Sequence, residues 1–504
     1  MRFFYLIIYF VLISAVPATA QPEEGTLRWA ADAEGNAPYI FQDPNDPDKL
    51  IGFEVDIARA IARKAGLRPV FVQNQWDGLI PGLKRGDYDI ALNGIEITED
   101  RREAVNFSIP YYSTYEQIVV RSGNEDISSL DDLRGKTAGA LKNSLAERIL
   151  REHGGIEVRT YEGEVNAFAD LEYERLEAVL VDAPIALYYA SWRPLFELRG
   201  GPIGEVKYAA AIEKADSALL RIINPAIAAI IESGELRRIL EDWNLWNPRM
   251  EKMTGDSADL GYTHDKFYYF LSAQDREIDL SAIIERYISF LPSIGEAAWM
   301  TIKLSVLSML AAIILGLIIA VARVYGPPPF RQLAALYVEL IRGTPLLIQL
   351  LFIFYALPAL GIKLDPFLAA ITALGLNYAA YEAENYRAGL FSVPEGQMEA
   401  ALSLGMSRRQ ALRYVILPQA VRLVIPPVTN DFIALLKDSS LVSVITLVEL
   451  TKLYNQLAST YYDYIGTGIL IALVYLLLGL PFVVLSRKFE NRLTFRTRGK
   501  KENL

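Results

Sequence analysis

The feature that most constrains this chain is a change in composition near residue 290. Before it, charged and apolar residues are mixed as in globular domains, whereas the rest is dominated by long apolar runs. A run of about 20 apolar residues is long enough for a helix to cross a membrane. The sequence therefore predicts an extramembrane domain followed by an all-α transmembrane domain of about five helices. These are placed near Ala297–Ala322, Leu333–Leu357, Phe367–Leu390, Leu417–Leu436 and Ile465–Leu485.

The composition excludes several classes of protein. With 504 residues the chain is long enough for roughly two to four domains. Its formal net charge is −10 and it has no basic block suited to nucleic acid, so we expect no nucleic-acid partner. It has no cysteine, which excludes disulfides and cysteine-ligated metals. The two histidines, His153 and His264, lie in polar sequence, and we expect no metal site.

The first twenty residues have the pattern of a secretory signal peptide. Arg2 precedes the apolar run Phe3–Val16, and Ala18–Ala20 offers a cleavage site before Gln21. An uncleaved anchor helix is the alternative, because the run is close to the lower length limit for spanning. Under either interpretation, the residues that follow are exported.

Residues 25–247 alternate helical and strand patterns. Apolar residues recur at helical spacing from Val55 to Ala65, and Arg68–Val72 then has the pattern of a strand. Repeated strand–helix units indicate an α/β domain. A weak internal repeat relates Leu83–Ala91 to Leu171–Val179, each a helix end, a turn and a buried strand. Two such lobes form a cleft where polar residues follow the carboxyl ends of their strands.

The distribution of charge predicts the orientation of the chain in the membrane. Lysines and arginines are concentrated after the last predicted span, and cytoplasmic segments carry such an excess. We therefore expect a signal peptide at 1–20, an extracytoplasmic domain at 25–247, a linker at 248–290, a transmembrane domain at 291–490 and a basic cytoplasmic tail at 491–504. Within the linker, Ser281–Leu291 is either an interfacial helix or a packed helix.

Five motifs of the α/β domain resemble the periplasmic binding proteins for polar amino acids, solute-binding protein family 3. These motifs are Gly52–Ile57, Trp76–Pro81, Ile97–Arg101, Phe107–Tyr112 and Asp182–Pro184. No single motif is specific for this family, but the occurrence of all five in the same order over about 220 residues is specific. The resemblance implies a two-lobed α/β fold of type II, in which the chain crosses the hinge twice. We place the crossings near Gln117–Arg121 and Tyr208–Ile212.

The membrane half resembles the permeases of ABC importers for histidine, glutamine, arginine and related amino acids. The matches are Arg342–Leu347, Tyr381–Gly389, Gly396–Gln397, Glu399–Pro418 and Lys437–Leu441. In that family a loop of two short cytoplasmic helices, joined at a glycine, fits a groove of a separate ATPase subunit. The coupling residues that the resemblance implies are Glu399, Ala400, Ala401 and Gly405.

For the α/β domain, the resemblance implies a cleft that holds a free amino acid. Arg101 binds the ligand carboxylate, because a guanidinium donates two parallel hydrogen bonds. Asp182 accepts from the ligand ammonium, and Gly94, Glu96 and Ser144 lie beside these groups. The alternatives are a surface salt bridge for Arg101 and a helix cap for Asp182.

Two aromatic positions are open to two interpretations each, and departures from the family's pattern, among them Asn143–Leu145, leave the ligand's identity open. Trp76 either packs on the ligand side chain or belongs to the core, and Tyr39 either lines the cleft or packs at its edge. Asn36 stands where the family often has an aromatic residue, and Glu96 stands where it has serine or threonine. We hypothesise that Glu96 faces Asp182 and binds the ligand ammonium, so that its removal weakens binding. The alternative is that Glu96 points to solvent or pairs with a nearby arginine. The acidic residues favour polar or basic ligands over acidic ones.

Three charged residues lie within a predicted span, where they are costly to expose to lipid: Glu382, Glu384 and Arg387. Glu384 and Arg387 are three residues apart and can pair on one helix face. They either line the translocation path or lock adjacent helices together.

The sequence carries no nucleotide-binding motif. Gly135–Thr137 resembles the end of a phosphate loop, but Leu130 occupies the position of the required first glycine. We therefore expect no cofactor in this chain and a separate ABC ATPase dimer that uses ATP. The chain is predicted to be a fused binding-protein and permease subunit of an amino-acid importer in the bacterial cell (inner) membrane, and not an enzyme. Because about five spans make half a pathway, we expect a homodimer or a heterodimer with another permease. The alternatives are a ligand-gated channel or sensor with the same binding fold, and an enzyme built on it.

Overall fold

The computed structural model describes residues 25–34, 37–161, 163–191, 193–257, 261, 263–274, 280–461 and 463–498. The predicted signal peptide lies outside the described residues. The described chain falls into two compact units. The first, called the α/β unit, extends to Leu291 and includes Asn455–Tyr464. The second, called the helical unit, comprises Pro292–Tyr454 and the chain from Ile465 onward.

The α/β unit contains twelve described strands and eleven described helices. In chain order they are β1 (Thr26–Ala31), β2 (Phe41–Asp43), β3 (Asp46–Ile51), α1 (Phe53–Lys64), β4 (Arg68–Gln73), α2 (Leu79–Arg85), β5 (Ile90–Ala91), α3 (Glu99–Ala104), β6 (Asn106–Phe107), β7 (Tyr112–Arg121), β8 (Thr137–Leu141), α4 (Leu145–His153), β9 (Glu157–Tyr161), α5 (Glu164–Glu172), β10 (Ala178–Asp182), α6 (Ala183–Ser191), β11 (Phe196–Tyr208), β12 (Ala211–Ile212), α7 (Ser217–Glu232), α8 (Glu235–Asp242), α9 (Pro248–Thr254), α10 (Asp265–Gln274) and α11 (Leu280–Ser289).

Two five-stranded sheets form two lobes, as the sequence predicts. The first has the order β4-β1-β5-β12-β6 and the second the order β11-β7-β10-β8-β9. In the first lobe β1 runs parallel to β4 and β5, and in the second β8 runs parallel to β9 and β10. Parallel strands deliver the loops after them to one edge of each sheet, where α/β folds bind ligands.

The chain crosses between the lobes twice. The second crossing lies between Tyr208 and Ala211, which confirms the predicted position. The first crossing was predicted near Gln117–Arg121, and this is wrong: the chain leaves the first sheet after Phe107 and enters the second at Tyr112. Strand β7 is buried almost throughout, so its sequence shows no break in pattern that would mark the crossing.

The linker helix α11 packs within the α/β unit. The Tyr287 hydroxyl donates to Asp463 Oδ2 at 2.5 Å, and Arg286 Nη2 donates to the same oxygen at 3.3 Å. Phe290 is fully buried, with its ring centroid 5.0 Å from that of Tyr461. These contacts fit the packed-helix alternative for this part of the linker.

The helical unit is built from long α-helices joined in part by short π- and 3-10-helical segments. In chain order its described α-helices are α12 (Leu291–Tyr325), α13 (Pro328–Arg342), α14 (Leu346–Leu351), α15 (Pro366–Phe391), α16 (Glu395–Ser403), α17 (Arg408–Ala411), α18 (Leu417–Asp438), α19 (Leu450–Tyr461) and α20 (Tyr464–Arg498). The part of α19 from Asn455 onward belongs to the α/β unit.

Three stretches of helix are long and apolar enough to cross a membrane: Leu291–Tyr325, Arg408–Ile445 and Tyr464–Val484. A fourth candidate, Pro328–Arg342 with Leu346–Leu360, coincides with the predicted span near Leu333–Leu357 but is bent by 106°, as in a broken span or a re-entrant loop. Another bent pair that is apolar enough, α7 with α8, lies in the α/β unit. By length and composition, three to five segments of the described chain could therefore span a membrane.

Helix α15 corresponds to the predicted span at Phe367–Leu390 but is not among these candidates, because polar residues such as Asn377 and Glu382 lower its hydropathy. Those two side chains are buried inside the helical unit. Gly316 of α12 lets the helices approach, since a Cβ at this position would lie 2.6 Å from the Cβ of Glu382. Neighbouring helices therefore cover the face of α15 that carries Asn377 and Glu382, and these two polar side chains lie inside the unit.

Candidate functional site

A cleft lies between the two lobes. Its empty volume is about 460 Å³, a value that includes the solvent at its mouth. Its described lining residues are Asp32, Glu34, Tyr39, Trp76, Asn93, Gly94, Glu96, Leu141, Gly163, Glu164, Asp182 and Ile185. Five of the predicted ligand contacts are among them, whereas Asn36 lies outside the described residues. The lobes meet around the cleft: Asp77 of the first lobe accepts from Lys142 Nζ at 3.2 Å and from Asn143 Nδ2 at 3.1 Å.

The loops after β1, β5 and β10 supply the polar lining. Asn93 and Glu96 follow β5, and Asp182 ends β10. Asn93 Oδ1 accepts from the Asp32 N–H at 2.8 Å, which joins the loops after β1 and β5. The strand patterns of the sequence thus predict which residues reach the cleft, because parallel strands end at one edge of the sheet.

Trp76 bridges the lobes across the cleft. Its backbone N–H donates to Asp32 Oδ2 at 3.0 Å, and its Nε1 donates to the Lys142 carbonyl oxygen at 3.2 Å. The side chain is half-buried and lines the cleft, rather than lying in the core. The Arg101 guanidinium lies over its ring, 5.3 Å from the centroid.

Arg101 is engaged by protein groups on all sides. Its Nη1 pairs with the Glu96 carboxylate and donates to the Glu96 carbonyl oxygen at 3.2 Å. Its Nη2 donates to the Asn143 carbonyl oxygen, in the second lobe, at 3.0 Å. The guanidinium therefore lies in the cleft region and binds a carboxylate, but this carboxylate belongs to the chain itself.

Glu96 is only 3% exposed and uses both carboxylate oxygens. One pairs with Arg101, and Oε1 accepts from the Leu145 N–H at 2.9 Å. This is the arginine pairing that the sequence left open as an alternative. Ser144 does not reach Glu96 with its side chain in this arrangement: its hydroxyl caps α4, donating to the Leu141 oxygen at 2.7 Å and accepting from the Glu147 N–H at 3.2 Å.

Asp182 is held by a pair of buried phenols. The Tyr39 hydroxyl donates to Asp182 Oδ2 at 3.0 Å and lies 2.9 Å from the Tyr208 hydroxyl. Gly94 makes room for this ring, because a Cβ at its position would lie 2.7 Å from the Tyr39 Cε1. Burial, and then the negative charge of Glu96, raise the pKa of Asp182 to about 6.

Glu116 is a residue of this site that the sequence reasoning missed. It lies opposite Asp182 on β7 and is fully buried, and its carboxyl group shares a hydrogen bond with that of Asp182. Carboxylate oxygens of Glu96, Glu116 and Asp182 lie within 4.8 Å of one another, an arrangement that can hold a cation. Burial, and then the charges of Asp182 and Glu96, raise the pKa of Glu116 well above its usual value. The available signal was a glutamate within an otherwise buried strand pattern.

The helical unit has a polar cavity of its own, with about 920 Å³ of empty space. Its described lining residues are Arg342, Gly343, Thr344, Pro345, Leu346, Asn377, Tyr378, Tyr381, Asp431, Ala434 and Asp438. The bend between α13 and α14 supplies one wall, and α15 and α18 supply the others. The Tyr378 hydroxyl donates to Asp438 Oδ2 at 2.7 Å, so the two helices are linked at the cavity.

The charged residues predicted for the translocation path do not line this cavity. Glu382 is fully buried beside Gly316. Glu384 accepts from Arg387 Nη2 at 2.8 Å and also pairs with Arg323 of α12. Glu384 therefore links α12 to α15, as the helix-locking alternative predicts. A role in translocation for these three residues stays a prediction.

Two family models match the chain. The model for bacterial extracellular solute-binding proteins, family 3, matches residues 27–245, and the model for the binding-protein-dependent transport system inner membrane component matches residues 312–495. The L-cystine transport system permease protein TcyB of Bacillus subtilis (strain 168) is 42% identical over 207 residues, which cover 40% of this chain and 88% of TcyB. The chain belongs to the inner membrane component family of binding-protein-dependent transport systems. It joins a solute-binding domain to a permease domain in one polypeptide.

Other relatives cover the same two parts. The glutamine transport system permease protein GlnP of Escherichia coli (strain K12) is 36% identical over 205 residues, 40% of this chain and 94% of GlnP. Among solved structures, an ancestral arginine-binding protein bound to glutamine is 35% identical, with a TM-score of 0.42, and covers 44% of this chain and 99% of that protein. An amino acid ABC transporter crystallised with histidines is 39% identical, with a TM-score of 0.40, over 43% and 100% of the two chains.

In the permease domain, the segment predicted to couple to an ATPase forms two short helices, α16 and α17, joined at Gly405. Gly405 has φ +81°, a left-handed conformation that glycine adopts without steric cost. Ser407 begins α17 with a capping box in which Gln410 takes part. Of the predicted coupling residues, Ala401 is buried, whereas Glu399 and Ala400 are exposed. The local geometry fits the predicted loop, and contact with an ATPase stays a prediction.

Proposed function

We propose that this chain is the substrate-binding and membrane-spanning subunit of an ABC importer for amino acids, polar or basic ones in particular. The observation that carries the proposal is the joining, in one polypeptide, of a solute-binding domain with an acidic cleft and a permease domain. Curated relatives named for L-cystine, glutamine and arginine transport support the amino-acid class. No observation favours the channel, sensor or enzyme alternatives.

The acidic cluster supports a ligand with an ammonium group. Asp182 Oδ1 and both oxygens of Glu116 are buried from water, and the two carboxyl groups share a hydrogen bond that requires a proton on one of them. Buried carboxylates in such a position are stabilised by a cation. The ligand ammonium is the natural occupant, and Trp76 and Tyr39 offer apolar faces beside it.

The assembly follows from the same proposal. A separate ABC ATPase dimer binds ATP and docks on the loop around Gly405, and two permease domains form one pathway. The solute-binding domain lies on the extracytoplasmic side, after a signal peptide at 1–20, and the basic tail at 491–504 lies in the cytoplasm. The concentration of arginine and lysine near the C-terminus supports this orientation.

A thermal-shift screen of the purified full chain against the common amino acids tests the ligand class. A ligand that binds only the folded protein stabilises it by about 2.7 kcal/mol at roughly one hundred times its Kd, so a substrate raises the unfolding temperature. Asp182→Asn should weaken that shift, because it removes one of the carboxyl groups that face the cation. The absence of a shift with every amino acid would contradict the proposal.

A further inference from the structure

Glu164 is a buried carboxylate of the cleft that lies apart from the groups around Asp182. It follows β9 in the second lobe as the first residue of α5, and it lines the cleft although only 6% of it is exposed. The hydrogen bond that its carboxylate accepts comes from its own backbone N–H, and no lysine or arginine of the described chain pairs with it. Because burying an unpaired carboxylate is costly, this position favours a bound cation.

A carboxylate of the other lobe lies near Glu164. The negative charge of Asp32, on the loop after β1, acts on Glu164, and so to a lesser extent does that of Asp182. Asp32 is fixed in place, since its carboxylate accepts from the Trp76 N–H at 3.0 Å and from Gln73 Nε2 at 3.0 Å. A cation beside Glu164 is therefore attracted by carboxylates of both lobes.

This position is distinct from the one proposed for the ligand ammonium. The carboxylate oxygens that lie within 4.8 Å of one another belong to Glu96, Glu116 and Asp182, and Glu164 is not a member of that group. Five acidic residues are among the described residues that line the cleft, and those lining residues include no lysine, arginine or histidine. The cleft thus offers two acidic positions and supplies neither with a cation of its own.

A basic amino acid carries two cations that are several bonds apart. Its ammonium can bind at Asp182 while the cation of its side chain reaches Glu164, and the apolar side chains of Leu141 and Ile185 line the cleft for the aliphatic part. An amino acid with an uncharged side chain brings one cation and leaves Glu164 without a partner.

We propose that Glu164 is a specificity-determining ligand contact: it binds the side-chain cation of a basic amino acid and selects such ligands over amino acids of similar size with an uncharged side chain. The inference rests on the proposed function and narrows its substrate class from polar or basic amino acids to basic ones.

Matched ligand pairs test this selection. Titration calorimetry on the purified full chain compares L-arginine with L-citrulline, whose ureido group is uncharged, and L-lysine with L-norleucine, which lacks the second ammonium. The wild type should bind the charged member of at least one pair about tenfold or more tightly, the scale of one hydrogen bond between charged groups. Glu164→Gln should weaken binding of that ligand by about tenfold and leave its uncharged counterpart nearly unaffected. Glu164→Asp, which keeps the charge, should retain part of the preference.

Proton release gives a second readout that a purely structural role for Glu164 would not change. Burial, helped by the charges of Asp32 and Asp182, raises the pKa of Glu164 to about 8. A bound cation lowers that pKa, so Glu164 loses its proton when the ligand binds. Calorimetry at pH 7 in buffers of different ionisation enthalpy should show more protons released by the charged ligand than by its counterpart, and Glu164→Gln should remove the difference.

The control variant is Glu172→Gln, at the other end of α5. Glu172 pairs with Arg193 at 3.5 Å and is not among the described lining residues, so this variant should keep the wild-type ratio. Glu164→Ser serves if Glu164→Gln does not fold. The inference is overturned if the wild type prefers neither charged ligand, or if the neutral variants of Glu164 keep its ratio. Binding of uncharged amino acids alone overturns it and leaves the proposed function standing, whereas binding of no amino acid overturns both.

Discussion

Glu54 shows how a single buried carboxylate couples the cleft to the hinge. It is fully buried on α1, where it accepts from the Gly94 N–H at 2.7 Å and from the Tyr111 hydroxyl. Gly94 lines the cleft, and Tyr111 lies in the first crossing between the lobes. Burial raises the pKa of Glu54 to about 7, although the two hydrogen bonds act in the opposite direction.

Stability should therefore fall as the pH rises, and Glu54→Gln should remove part of this fall. The folded state holds the proton more tightly than the unfolded state, so the stabilisation is fully present below the unfolded pKa and lost as pH rises through about 7. Between pH 4.5 and pH 8, the free energy of unfolding of the variant should rise relative to that of the wild type by at most about 3 kcal/mol.

Thermal unfolding of the full chain across this pH range measures the effect. Burial also raises the pKa of Glu164, to about 8. Glu164 therefore contributes a similar loss of stability with rising pH, and the variant retains this contribution. Glu152→Gln, at an exposed position, is the control. A variant with the same pH profile as wild type would show that Glu54 is not the group that titrates.

The limits of sequence reasoning are clearest at the residue scale. Trp76 and Asp182 line the cleft, as the family motifs imply, and Tyr39 lines it too, which was one of the two alternatives left open by the sequence. Glu116 was missed, because it reaches the site only through strand pairing with a segment far away in sequence. The Glu96–Arg101 pair depends on side-chain conformation, which composition and spacing do not determine.

At the scale of elements, hydropathy predicted the apolar segments but not their direction. The segment predicted as one span at Leu333–Leu357 turns by 106° between Arg342 and Leu346. The intervening residues include Gly343 and Pro345, both of which favour helix ends, while the apolar content on either side remains high. Hydropathy averaged over a window of residues does not reveal such a bend. In the α/β unit, by contrast, the sequence pattern correctly predicted the alternation of strands and helices.

The loop between α16 and α17 carries the coupling prediction. Gly405→Asp should abolish transport and leave ligand binding unchanged. A Cβ at this position would meet nothing within 4 Å, so the change creates no clash inside the chain. Its effects are backbone strain of roughly 1 kcal/mol at φ +81° and a new charge on the surface proposed to contact the ATPase.

Uptake into proteoliposomes that contain the complete complex, together with ligand titration, separates the two effects. Gly123→Asp is a matched control, because Gly123 has φ +84°, is exposed and has open space at its Cβ, but lies in the solute-binding domain. Normal uptake by Gly405→Asp would mean that this loop does not couple to the ATPase.

The packing of α12 on α15 yields a second prediction at this scale. Gly316→Val should destabilise the permease domain, because the new Cβ would lie 2.6 Å from the Glu382 Cβ and 3.0 Å from the Ala379 oxygen. Overpacking of this kind costs about 1–3 kcal/mol. Thermal aggregation of the full chain in detergent measures it. Gly479→Val on α20, where a Cβ meets nothing within 4 Å, is the control, and equal aggregation temperatures would contradict the close approach.

At the scale of the whole molecule, one permease domain offers an incomplete pathway. The described helices of the helical unit provide three segments that could span a membrane, or four if the bent pair Pro328–Arg342 and Leu346–Leu360 is one span. The polar cavity of the helical unit lies beside Arg342, Asp431 and Asp438, whose charges need shielding from lipid. A second permease domain would supply that shielding. Large apolar side chains elsewhere on α12, such as Leu310 and Ile314, are more than half exposed and suit contact with lipid.

We expect two copies of this chain in the working transporter, together with two ATPase subunits. The reason is that each 56.4-kDa chain carries one permease domain and no nucleotide-binding motif. Oligomers of identical chains most often form closed two-fold dimers, which would place two equivalent cavities about one axis. Native mass measurement of the complex, purified in detergent through a tag on this chain, counts the copies. Co-expression of two differently tagged copies is the control: each tag should retrieve the other if the dimer forms. A complex with one copy of this chain beside a different permease would contradict the homodimer and support the heterodimer instead.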